Sequence, residues 1–175
     1  TYNWTMYMVR PEDVNKYDQV INSNNVKIIA QTGVEAEINI VSVSQNLKLA
    51  FNKQAVNREG VANVFGFTLV EPGGATLYTR IAQAANDLGI VNHLKAAYLL
   101  ELKFLGYEED GSPIQDITPP YYWMCTMVSL DFAYSEGATT YRADLIETTQ
   151  DAFKKLILTT KQDMTVQAST FGGFL

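Results

Sequence analysis

Between residues 65 and 107 the hydrophobic period changes from two to about 3.6 and back to two, so the centre of the chain needs both sheet and helix. Phe65, Phe67 and Leu69 alternate with Gly66 and Thr68, the pattern of a half-buried strand. Pro72 has no amide hydrogen for a ladder, and Gly73 and Gly74 reach backbone angles closed to other residues, so the chain turns there. From Thr76 onward Leu77, Ile81, Ala84, Ala85 and Leu88 recur on one helical face, and Gly89 is placed to stop the helix. Leu100, Leu102 and Phe104 then alternate with Glu101 and Lys103, a strand again. The unit reads strand, tight glycine turn, one amphipathic helix, loop, strand.

The flanks supply further strands. Tyr2, Trp4, Met6 and Met8 share one face of a strand that ends before Pro11. Val14, Tyr17, Val20 and Ile21 fit a short helix or an excursion loop. The β-branched runs on either side of Thr32-Gly33 predict a strand pair that turns near Gly33, and Leu47, Leu49 and Phe51 continue as a further short strand. Residues 52–63 have no period and are expected as an exposed loop. Residues 108–120 combine acids, an Asp-Gly pair and prolines, and predict a long turn or exposed arm. In the long strand that follows, Tyr122, Met124, Val128, Leu130, Phe132 and Tyr134 share one face, interrupted by Thr126. The other face opens with Tyr121, Trp123, Cys125 and Met127 and turns polar at Ser129 and Asp131, so half of the strand is expected to be covered on both sides. Glu136-Gly137 makes a hairpin into Tyr141, Ala143 and Leu145, and the tail begins as a helix through Phe153, Leu156 and Ile157. About seven strands and one helix predict a mainly β (α+β) fold, a mostly antiparallel sandwich or barrel with one flanking amphipathic helix. A single β-rich domain over 1–175 is expected. The start at Thr1 and the apolar finish at Phe171, Phe174 and Leu175 are those expected of a processed form or a fragment of a longer chain.

Composition narrows the function classes. With 175 residues, 47% of them hydrophobic, the chain can bury one sizeable core. A net charge of −6 disfavours tight static binding of nucleic acid, which needs a basic patch to displace counterions. Cys125 is the only cysteine, which excludes an intrachain disulfide. No apolar run reaches the roughly 18 residues of a membrane span, and the N-terminal residues lack the order of a signal peptide. His93 is the only histidine, which excludes two-histidine sites and zinc sites of the usual composition. His93 with Cys125 or Ser129 would make a nucleophilic dyad, but a lone histidine between helix and strand is more often a local hydrogen-bonding residue. Glu71, Asp87 and Glu101 are the carboxylates a glycosidase would use. Their bland reading is a turn neighbour, a helix-end residue and an outward strand residue. Glu108, Glu109 and Asp110 lack the alternating ligands of a calcium loop and read as a solvated turn. Pro72-Gly73-Gly74 before a helix has the outline of a phosphate cradle, without its glycine spacing or its lysine. No catalytic, cofactor or metal residue is therefore expected. The aromatic surplus of residues 121–127 exceeds what one helix can cover, and such surplus marks protein contacts.

The run from FGFTLVEPGG through the helix to KFLGYEEDG, with the later EGATTYRADL, resembles a recurrent pattern in virion structural proteins of large contractile-tailed bacteriophages, in the baseplate and tail-hub region. In that pattern a strand ending Glu-Pro leads into a helix, a strand ending Phe-x-Gly-Tyr and an acidic Asp-Gly hairpin, then a later glycine hairpin into a Tyr-bearing strand. The likeness spans residues 64–153. It implies a tail-tube or hub-like β-barrel or sandwich and a non-enzymatic subunit in a hub, tube or wedge position. Such subunits form rings by joining sheet edges and by reaching over a neighbour with a hairpin or loop. Residues 52–63 and 108–120 are the reaching segments, and Glu108, Glu109, Asp110, Tyr121, Trp123 and Met127 the interface residues, that this reading expects. Further copies and other tail or baseplate proteins are the expected partners, in a virion built in the host cytoplasm, without membrane or cofactor. DNA would pass nearby unbound, since an acidic wall does not trap phosphate. The alternatives are a small-molecule-binding β-barrel, which needs a closed apolar cavity, and a glycosidase-like enzyme, which needs two converging carboxylates.

Overall fold

The computed structural model describes residues 2–13, 21, 25–33, 35–51, 59–108, 112–114 and 118–148; for 48–51, 59–62 and 113 it describes the backbone alone. Among these residues seven strands form one mixed sheet: β1 (Tyr2–Val9), β2 (Lys27–Gln31), β3 (Asn39–Phe51), β4 (Glu59–Pro72), β5 (Ala97–Phe104), β8 (Tyr121–Ser135) and β9 (Ala138–Glu147). Helix α1 (Leu77–Asp87) links β4 to β5, and β6 (Gly106–Tyr107) and β7 (Pro113–Ile114) form a separate ribbon. The strand order is β1-β2-β3-β4-β9-β8-β5, and β5 pairs in turn with β1 from Val9↔Ala97 to Tyr2↔Phe104, so the sheet closes on itself. The mainly β, α+β expectation stands.

The sequence periods explain which side chains face inward. Trp4, Met6 and Met8 of β1, Phe65, Phe67 and Leu69 of β4 and Tyr141, Ala143 and Leu145 of β9 are all buried in one cluster. The aromatic members interlock, with the Trp4 ring 5.8 Å from Phe67 and 5.5 Å from Trp123. Leu77, Ile81, Ala84, Ala85 and Leu88 put the apolar face of α1 into that same cluster. The helix ends as its glycine requires: Gly89 has φ +71°, its N–H reaches Asn86 O at 2.9 Å, and Ile90 N reaches Ala85 O at 2.8 Å. A second buried cluster, Val9, Ala97, Leu99 and Met124, carries Tyr7, Ile21, Val26 and Tyr122 packed against it.

Several expectations need correction. The runs around Gly33 do not make a two-strand hairpin, because β1 holds β2 antiparallel and β3 sets off in the same direction as β2, meeting it only at Gln31↔Asn39. Residues 59–63 are strand, not loop: β3 and β4 stay in register out to Phe51↔Glu59. The single alternation read along β8 is broken by a register shift between Met127 and Ser129. Trp123 and Met127 share with buried Cys125 the side of the main cluster, and the shift in phase brings Leu130 to that same side beyond the bulge. Val14, Tyr17, Val20, residues 52–58 and the tail with Phe153, Leu156, Ile157, Phe171, Phe174 and Leu175 lie outside the described residues.

The strand-to-helix turn divides its work between two glycines. Gly73, with φ +71°, takes the left-handed conformation. Gly74 has no positive φ, yet a Cβ there would collide with the Glu71 carboxylate, reaching Cδ at 3.2 Å. Gly74→Val should therefore destabilise the fold by about 1–3 kcal/mol through displacement of a buried acceptor rather than through backbone angle. A chemical denaturation curve with an unchanged midpoint would remove this account of the turn.

Candidate functional site

Among the described residues two buried carboxylates, Glu71 and Glu101, dominate the polar interior. Glu71, 6% exposed at the end of β4, accepts from the Tyr141 hydroxyl at 2.6 Å, the Thr76 hydroxyl at 2.7 Å and the Thr76 N–H at 2.8 Å. It thus supplies from the strand the oxygen that the first turn of α1 lacks, since Thr76 makes no side-chain cap of its own. Tyr141 in turn accepts from Leu77 N at 3.4 Å, and the Thr139 hydroxyl donates to Gly74 O. Burial pushes the Glu71 carboxyl up, but the hydrogen bonds from Tyr141, Thr76 and Leu77 outweigh it and hold the group below its ordinary value. Burial first, and then the Glu71 hydrogen bond, raise Tyr141.

Glu101, 2% exposed on β5, accepts from the Tyr7 hydroxyl at 2.9 Å and the Tyr122 hydroxyl at 2.9 Å and pairs with Lys103 Nζ at 3.0 Å. Alternation correctly puts Glu101 on the face opposite Leu100, but that face is covered, so the outward solvated placement is corrected. Tyr7 is pushed up to about 12, by burial first and then by the charge and hydrogen bond of Glu101.

These groups do not converge. Glu71 lies opposite Thr139 in the ladder, on the face of Leu69 and Tyr141, and belongs with the main cluster. Glu101 lies opposite Thr5 and Tyr122, on the face of Leu99, and belongs with the second cluster. Asp87 pairs with Lys27 at 3.2 Å at the surface. The three carboxylates considered for glycoside hydrolysis are thus held on opposite faces of a sheet and at a helix end, and two of them are saturated with donors. His93 Nε2 lies 3.0 Å from the Tyr78 hydroxyl, with the rings edge to face at 5.5 Å. Cys125 is fully buried, its thiol pushed up by burial and then by the Glu147 charge, while Ser129 donates to Asp144 at 3.0 Å. Neither is engaged with the histidine. Among the described residues no group of three or more His, Cys, Asp or Glu could hold a metal ion, and no helix is long and apolar enough to cross a membrane.

The expected interface residues fall in different places. Glu108 is exposed at the neck of the arm, where its N–H donates to Ser112 O at 2.8 Å beside the β6–β7 ribbon. Glu109 and Asp110 lie outside the described residues. Tyr121 is 51% exposed, stacked on Trp123 at 6.1 Å and met edge-on by Phe104 at 6.1 Å. Trp123 and Met127 are half-buried against the core. The sequence reading did not single out the far end of β8, where Phe132 is 70% and Tyr134 66% exposed. The available signal was length: β8 has 15 residues, while β5, its neighbour, has 8 and cannot cover it. Open grooves mark the surface of the described residues. One, of about 230 Å³, lies among Tyr78, His93, Leu94, Val128 and Leu130. Another, of about 330 Å³, lies where β2 and β3 diverge and is edged by the Arg80–Glu37 ion pair.

No protein-family model matches the sequence. A search of curated proteins finds no significant match either.

Proposed function

We propose that this protein is a structural subunit of a contractile phage tail or baseplate, in a hub, tube or wedge position, and that its closed sheet is a barrel of the tail-tube type. Further copies and neighbouring tail proteins complete a ring or mixed complex around the DNA channel. The observation that carries this reading is the β3–β4 ribbon, which among the described residues outruns the sheet. β9 covers β4 only from Val64 to Pro72, whereas β3 continues with β4 to Phe51↔Glu59. At the root of this projecting ribbon Leu47 is 64% exposed, and among the described residues the edge of β3 away from β4 meets β2 at a single residue pair. A two-stranded ribbon whose edge has no strand partner among the described residues gives a subunit something to lay on its neighbour. The polar interior adds support of another kind, since its carboxylates act as structural hydrogen-bond acceptors.

The acidic arm supplies the test. Removing residues 108–113 and closing with two glycines should leave the melting temperature nearly unchanged, because loop length alters closure entropy by only about 0.6 kcal/mol per doubling. Assembly should fail in the same variant, read by native mass and negative-stain electron microscopy against the unaltered chain. Rings or mixed particles of normal size from the variant would make the arm an idle turn, and an unaltered chain that forms none with its tail partners would overturn the assembly reading.

A further inference from the structure

We propose that the far end of β8 is a self-pairing edge, which joins two copies of this chain antiparallel about a two-fold axis at Phe132. This contact is independent of the tail assembly reading and uses a different surface from the β3–β4 ribbon. On the side away from β9, β8 pairs with β5 from Tyr121↔Leu102 to Cys125↔Tyr98, and β5 begins at Ala97. Among the described residues, no strand lies on that edge beyond the bulge at Val128. An open strand edge is a template for another strand, and here its side chains are apolar: Phe132 is 70% and Tyr134 66% exposed, with Leu130 half-buried beside them. The groove of about 230 Å³ that runs by Val128 and Leu130 extends this surface to Tyr78 and Leu94, 58% and 74% exposed.

The occupant follows from the order of residues along the edge. About an axis at Phe132, Phe132 meets Phe132, Leu130 meets Tyr134, Asp131 meets Ala133 and Ser129 meets Ser135. Apolar side chains then face apolar ones along one row, and polar or small side chains face each other along the other. An axis at Asp131 would set two carboxylates against each other. An axis at Leu130 would need Val128, the bulged residue, to sit in a regular ladder opposite Phe132. Asp131, the one charge on this stretch, stands directly opposite Arg142 of β9 in the ladder within the subunit.

Cysteine cross-linking reads this register directly. Directly opposed residues of an antiparallel pair have Cα atoms about 4.5–5.5 Å apart, within disulfide reach. Under mild oxidant Phe132→Cys should therefore convert to a covalent dimer on a non-reducing gel. Asp131→Cys should stay uncross-linked, because its opposite residue is Ala133 of the second copy. Phe132→Lys should halve the native mass of the isolated chain while leaving its circular dichroism unchanged. A wild-type chain that is a monomer at tens of micromolar, or equal cross-linking at positions 131 and 132, would overturn the proposal.

Discussion

Ile81→Asp should leave the protein without a cooperative melting transition. Ile81 is 4% exposed on the apolar face of α1 and belongs to the cluster that the inward side chains of β1, β4 and β9 complete. Removing a buried isoleucine costs about 2–5 kcal/mol. Leaving an unpaired carboxylate in its place adds several more unless the group takes up a proton. Against a typical total stability of about 5–15 kcal/mol, the sum is enough to unfold most of the population. Gln83→Asp is the control, since Gln83 is exposed on the same helix and should melt like the parent. Circular dichroism at 222 nm on both variants checks the outcome, and a normal transition in Ile81→Asp would mean that α1 does not close this core.

Glu71→Ala should have the next largest effect and a pH signature that a simple loss of packing lacks. The substitution strands the Tyr141 hydroxyl, the Thr76 hydroxyl and the Thr76 N–H, which all donate to the carboxylate. At about 1–3 kcal/mol for each buried group left without a partner, a loss on the order of 3 kcal/mol is expected near neutral pH. The folded protein holds the Glu71 carboxyl below its ordinary value, so the unfolded chain binds the proton more readily. The stabilisation is therefore fully present above the ordinary carboxylate pKa and is lost as pH falls through the lower folded value. The gap in melting temperature between parent and variant should accordingly be constant near neutrality and narrow as the solution becomes acidic. A gap that does not change with pH would assign the loss to packing, and the ionised cap would be discarded.

Local order along the chain was legible wherever a period runs uninterrupted. The inward faces of β1 and β9, the buried stripe of α1 and the stop at Gly89 all follow from spacing alone, because a strand or helix fixes which neighbours share a face. Phe65, Phe67 and Leu69 lead into the turn for the same reason. Alternation also separated Glu101 from Leu100, but a period cannot say whether the second face of a strand meets water or another layer. That face is covered, and Tyr7 and Tyr122 complete the environment of Glu101 from two other strands.

Tertiary structure alone decided the rest, since it depends on which distant segments meet. Tyr141 reaches Glu71 across 70 positions of sequence, which turns a glutamate beside a Pro-Gly-Gly turn into the cap of a helix. That contact also explains Gly74, whose missing side chain makes room for the carboxylate. One extra residue at Val128 shifts the phase of β8, so that Trp123, Met127 and Leu130 share the core side although no single alternation joins them. The sequence by itself determined α1 and the inward faces of β1, β4 and β9, where one period runs unbroken, through the fixed geometry of helix and strand. Closure of the sheet, the parallel contact of β2 with β3 and, among the described residues, the edges without a strand partner on β3 and β8 were decided by strand partnership, which no local period encodes.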